Sequence, residues 1–111
     1  MKLSLKGERY ACLLLKKKGF RILCRNYTCR VGEIDIVAIK NSLLVFCEVK
    51  TRSNAKYGQP YEAVNASKQH KLRLLAEQFI ISNKVKFDDL RFDVISILEN
   101  NKEVIHIENA F

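Results

Sequence analysis

Ile34-Asp35-Ile36-Val37-Ala38-Ile39-Lys40-Asn41-Ser42-Leu43-Leu44-Val45-Phe46-Cys47-Glu48-Val49-Lys50 is the stretch that decides the fold. Its two apolar runs, 34–39 and 43–47, have the length and the residue types of β-strands, and Lys40-Asn41-Ser42 between them reads as a turn. The second run is apolar without alternation, the mark of a strand covered on both faces. Helices must therefore pack on the sheet, and the chain on either side supplies them.

Upstream, a helix is expected from Ser4 or Lys6 to about Lys18, with Gly19 as its stop. Ala11, Cys12, Leu14 and Leu15 give it an apolar face, and Lys16, Lys17 and Lys18 suit the negative end of its dipole. Residues 20–29 read as a first strand. Downstream, residues 51–66 hold Pro60, the only proline, with Gly58 and several polar side chains, and read as a loop. A second helix follows over 67–82, with Leu72, Leu75, Ala76, Phe79 and Ile80 facing the core. Two strands, near 92–98 and 104–107, are joined by a turn at Asn100-Asn101-Lys102. The order αβββαββ defines an α/β fold, a mixed central sheet of about five strands flanked by helices.

The 111 residues fit a single domain spanning 1–111, and 48% hydrophobic residues are enough for a real core. Twenty Lys and Arg against twelve Asp and Glu leave a formal net charge of +8. Such an excess favours a polyanionic partner, nucleic acid or an acidic membrane surface, although a protein can also simply be basic. The first residues lack the apolar core of a signal peptide, and no stretch approaches the ~20 apolar residues of a membrane helix. Cys12, Cys24, Cys29 and Cys47 form no Cys-x-x-Cys pair, which argues against a zinc site or a secreted disulfide framework. The expectation is a cytoplasmic protein with reduced thiols and no membrane association.

Charges inside runs that ought to be buried carry the functional signal. Asp35 lies between Ile34 and Ile36, where a carboxylate is costly without a cation, a metal or hydrogen bonds. Glu48 and Lys50 follow directly on the apolar run and, two apart on a strand, share a face at a spacing of roughly 7 Å. A hairpin through Asn41-Ser42 brings Asp35 toward the Glu48 face. Two carboxylates on adjacent strands make a hard oxygen site suited to Mg²⁺, and a nearby lysine can orient or deprotonate a water. Glu8 precedes Ala11, Cys12 and Leu15 by three, four and seven residues and shares their helical face. Gln69 stands in the same relation to Leu72 and Ala76.

Each member has a plainer explanation by itself. Glu-x-Lys at a strand end is commonly a solvated pair, and Asp35 alone could be salt-bridged to an arginine. Glu33 is more naturally a surface residue. Glu8 and Gln69 could sit wet in fraying first turns. Arg91 and Asp93, on one face of the fourth strand, read as a structural ion pair. Arg52, Lys56, Tyr57 and Tyr61 in the long loop suit phosphate contact and base stacking, but exposed loops often look so.

Taken together, Gly7-Glu8 with Ala11, Gly32-Glu33-Ile34-Asp35, Phe46-Cys47-Glu48-Val49-Lys50-Thr51-Arg52, Gly58-x-Pro60 with Glu62-Ala63-Val64, Lys68-Gln69 and Arg91-Phe92-Asp93-Val94 resemble the YraN-like family of small bacterial proteins. That family is similar to the PD-(D/E)XK nucleases, especially the archaeal Holliday-junction resolvases. The resemblance covers nearly the whole chain. It implies a restriction-endonuclease-like core in which Asp35, Glu48, Glu8 and the backbone carbonyl of Val49 ligate Mg²⁺ or Mn²⁺. It implies a catalytic set of Glu8, Asp35, Glu48, Lys50 and Gln69. Two departures stand out: Ile34 occupies the position of the motif's proline, and Arg73 replaces the tyrosine of a Gln-x-x-x-Tyr helix.

The reading that follows is a metal-dependent DNA endonuclease, with branched or junction DNA among its candidate substrates and Arg52, Lys56, Tyr57 and Lys68 contacting nucleic acid. A homodimer would suit symmetric junctions, and recombination or repair proteins are the expected company. The alternative is a catalytically inactive, basic nucleic-acid-binding module on the same fold.

Overall fold

The computed structural model describes residues 3–52, 65–98 and 103–111. The elements run α1 (Leu3–Lys17), β1 (Arg21–Cys29), β2 (Gly32–Lys40), β3 (Leu43–Arg52), α2 (Ala66–Asn83), β4 (Asp89–Leu98) and β5 (Glu103–Ile107). The five strands form one sheet in chain order, and all neighbours are antiparallel except β3 and β4, which are parallel. Parallel neighbours need a crossover, and α2 lies in it. The mixed α/β architecture and the order αβββαββ are as expected.

Local chemistry explains the corners. Gly19 takes φ +95°, its N–H bonds the Lys16 carbonyl, and the Phe20 N–H bonds the Leu15 carbonyl. This is a Schellman stop, and it folds buried Phe20 back beneath the helix it ends. Asn41 and Ser42 adopt φ of 46° and 67°, and they close the β2–β3 hairpin with Lys40 opposite Leu43. Positive φ at both central residues gives the turn the twist that matches its strands.

The unbroken apolar run of β3 is indeed covered on both sides. Leu44 and Phe46 pack into the cluster beneath α2 with Leu72, Leu75 and Phe79. Val45 and Cys47 pack into the cluster beneath α1 with Ala11, Cys12 and Leu15.

Several boundaries differ from expectation by one to three residues, and three of them have a clear cause. Thr51 and Arg52 belong to β3 rather than to the following loop, because pairing with β4 continues through Thr51–Ile97 and Arg52–Leu98. The second helix starts at Ala66, one residue early, because Asn65 caps it: the Asn65 Oδ1 accepts the Lys68 N–H at 2.9 Å. β4 begins at Asp89, since the hairpin turn draws it in through N–H bonds from Asp88 and Asp89 to the Ser42 carbonyl. The reading of 53–64 and of the turn at 100–102 falls largely outside the described residues. Among the described residues, no helix is long and apolar enough to cross a membrane.

Candidate active site

Ladder pairing between β2 and β3 stops at Ile36–Cys47. On either side the sheet carries on, β1 with β2 to Cys29–Gly32 and β3 with β4 to Arg52–Leu98. The parting is therefore local, and the residues that would come next at its mouth are Asp35 and Glu48. In place of a ladder bond, the Val49 N–H donates to the Asp35 Oδ2 at 2.7 Å. A residue's N–H and C=O face the same neighbouring strand, so the Val49 carbonyl borders the same opening.

The carboxylates are held against their solvation preference. Burial, then the charge of Glu48, pushes the Asp35 carboxyl up to about 7, although the Val49 N–H opposes the rise. Glu48 is only 8% exposed. Glu8 is 5% exposed, and its Oε1 has no hydrogen-bond partner. Burial raises Glu8 above the usual carboxylate range against the pull of Arg25 and the Asn26 side chain, and its charge is felt at Asp35.

Two lysines answer Glu48. Lys50 Nζ lies 3.5 Å from its Oε1 and Lys68 Nζ 3.2 Å from the same atom. Desolvation and the neighbouring Lys68 lower Lys50, the right direction for an amine that must take up a proton. Lys68 moves the other way: burial would lower it, but Lys50, Glu48 and Asp35 outweigh that and keep it protonated. A cleft of about 550 Å³ opens here, with Glu33, Asp35, Glu48, Lys68 and Lys71 in its wall.

Another buried carboxylate, Asp93, shows what a purely structural one looks like. Asp93 is fully buried and takes two bonds from Arg91 (2.8 and 2.9 Å), one from the Asn109 N–H (3.0 Å) and a 2.7 Å contact with His106 Nε2. Those partners overcome burial and hold it below the usual range. This is the structural ion pair expected of Arg91 and Asp93. A buried carboxylate that is fully satisfied serves the fold, whereas Asp35 is raised by burial and by Glu48, and the Glu8 Oε1 has no hydrogen-bond partner.

Of the residues expected at the site, Asp35, Glu48, Val49 and Lys50 stand together at the parting, and Glu8 reaches it electrostatically from α1. From α2, Lys68 lines the cleft. Gln69, one position on and half-buried, is not in its wall. Arg73, in place of the expected tyrosine, is exposed, with its guanidinium 5.0 Å from the Phe92 ring and 5.8 Å from that of Phe111. Arg52 is half-buried in β3. Lys56 and Tyr57 lie outside the described residues.

Sequence reasoning missed two things. One is the contact of Lys68 with Glu48, for which the neighbouring sequence carries no signal. The other is the reason for Gly7. A Cβ there would collide with the Thr51 hydroxyl, so the glycine lets α1 lie against β3 just past Lys50 and sets the next residue, Glu8, at the site.

Among the described residues, no three carboxylate, thiol or imidazole groups gather into a ready-made metal cage. Mg²⁺ does not require one, because it keeps several waters and binds through one or two carboxylates. Asp35 and Glu48, with the Val49 carbonyl at the same opening, are hard oxygen donors of the kind such an ion takes.

The class these features define is a small α/β protein with an acidic, lysine-edged cleft at the parting of two strands. The chain belongs to the uncharacterised protein family UPF0102, whose family model matches residues 7–97, from Gly7-Glu8 through every candidate carboxylate and lysine. It is 50% identical over 109 residues to a UPF0102 protein of Alkaliphilus oremlandii, covering 95% of this chain and 93% of the relative. A UPF0102 protein of Dictyoglomus thermophilum is 48% identical over 109 residues, covering 95% and 92%. One of Clostridioides difficile is 43% identical over 105 residues, covering 95% and 92%.

Proposed function

We propose that this chain is a Mg²⁺- or Mn²⁺-dependent DNA endonuclease of the restriction-endonuclease-like kind. The observation that carries the reading is the Asp35–Glu48 pair, held half-desolvated where β2 and β3 part, with Lys50 two residues further along the same strand. Asp35 and Glu48 would hold the metal with the Val49 carbonyl, and Glu8 would support a second ion or a bridging water. When bound, the ion polarises the phosphoryl oxygen and offsets charge on the leaving oxygen. Lys50 Nζ orients the attacking water and accepts its proton, a role favoured by its lowered pKa. Lys68 and Arg52, with the net charge of +8, hold the phosphate backbone. The expected chemistry is in-line hydrolysis leaving a 5′-phosphate.

The test is a pair of purified variants. Asp35→Ala and Lys50→Ala should lose metal-dependent cleavage while keeping most of the DNA affinity. Cleavage that persists in either removes the assignment.

One observation favours a second reading, a nucleic-acid-binding module that does not cut. Glu48 is already neutralised by two lysines without any metal. Such a protein would bind DNA or RNA with steep salt dependence and show no turnover with any divalent ion.

A further inference from the structure

The first turn of α2 carries no acidic side chain, and its third residue is Lys68. A cation there opposes the helix dipole, and the third position is where Glu or Gln commonly reaches back to the cap. Asn65 does the capping alone, through the Lys68 backbone N–H. The Lys68 side chain goes instead to Glu48, at 3.2 Å.

Without a metal, Glu48 and a partly protonated Asp35 face Lys50 and Lys68, so the parting carries no excess of negative charge. A divalent cation adds two positive charges, and the excess falls if one lysine leaves Glu48 for an incoming phosphate. Lys50 is the less free of the two, on the same strand as Glu48 with its side chain 23% exposed. Lys68 is 36% exposed, stands on a separate element and shares the cleft wall with Lys71.

We propose that Lys68 is the site's own counter-cation: paired with Glu48 while no metal is bound, and passed to a nucleic-acid phosphate when a divalent ion takes Glu48. This rests on the nuclease reading. Lys68 then competes with metal and cooperates with it toward substrate, so metal and nucleic acid are coupled through one side chain.

Two measurements on the full chain test this: Mn²⁺ titration by calorimetry, and binding of a fluorescent 20-bp duplex in Ca²⁺ or in EDTA. The proteins compared are the unaltered chain, Lys68→Met and Glu48→Gln. Lys68→Met should bind Mn²⁺ about two- to fivefold more tightly, the size of a partly exposed ion pair. It should weaken duplex binding more in Ca²⁺ than in EDTA. Unchanged or weaker Mn²⁺ binding in Lys68→Met, or an equal loss of duplex affinity in both buffers, overturns the proposal alone, provided that Glu48→Gln loses Mn²⁺. If the unaltered chain binds no Mn²⁺, or Glu48→Gln binds it as well, the metal reading falls and takes this proposal with it.

Discussion

Asp35 and Asp93 are both carboxylates placed among apolar neighbours, yet they respond to pH in opposite senses. Asp35 titrates near 7 in the fold against an ordinary 3.8, so between those values the folded protein holds a proton that the unfolded chain has lost. Stability from this group is present below about 3.8 and falls as pH rises toward 7. In chelator, Asp35→Asn should flatten that fall, measured as urea midpoints from pH 4.5 to 7.5. An unchanged slope would mean that Asp35 is not held as described. Asp93, depressed by its partners, contributes stability above its ordinary 3.8 and loses it as pH drops through its lower folded value. Asp93→Ala strands Arg91 and His106 and should cost about 3–5 kcal/mol in urea unfolding at neutral pH. Asp35, Glu48 and Lys50 were legible in the sequence because charges interrupt or end apolar runs, and Glu8 because it sits on an apolar helical seam. Lys68 was not legible as a partner of Glu48. Nothing near it in sequence says that α2 crosses the sheet so as to lay its first turn over that carboxylate.

At the scale of elements, the hairpin turn at Asn41-Ser42 sets the register that puts Asp35 opposite Glu48, and α1 delivers Glu8 by lying close to β3. That closeness depends on Gly7. Gly7→Ala should cost about 1–3 kcal/mol by overpacking against Thr51. Thr51→Ala removes the obstructing hydroxyl, so the double variant should be more stable than the sum of the single effects predicts. Strict additivity in a denaturant double-mutant cycle would contradict the contact. The elements themselves could be read from periodicity and stop residues. Where their ends were misplaced, the cause was tertiary: β3 runs on through Thr51 and Arg52 only because β4 lies beside it, and pairing with Leu43 recruits Asp89 into β4.

For the whole molecule, a net charge of +8 goes with a cleft whose wall holds Glu33, Asp35 and Glu48 beside Lys68 and Lys71. Backbone contacts by those cations release counterions, so DNA affinity should fall steeply and linearly in log–log form as salt rises. A flat salt response in a fluorescence anisotropy titration would exclude nucleic acid as the partner. Charge alone could not separate a nuclease from a binder. Asp35 and Glu48 in the cleft of so basic a chain favour the nuclease, because a protein that only bound phosphate would gain from neutral residues there. The most direct test of that claim is cleavage of labelled linear, single-stranded, flap and four-way DNA in Mg²⁺, Mn²⁺ or EDTA, run beside Glu48→Ala. The nuclease account predicts cutting of at least one of these DNAs that needs the metal and vanishes in the variant. Salt-sensitive binding to the same DNAs with no cutting under any metal would contradict it.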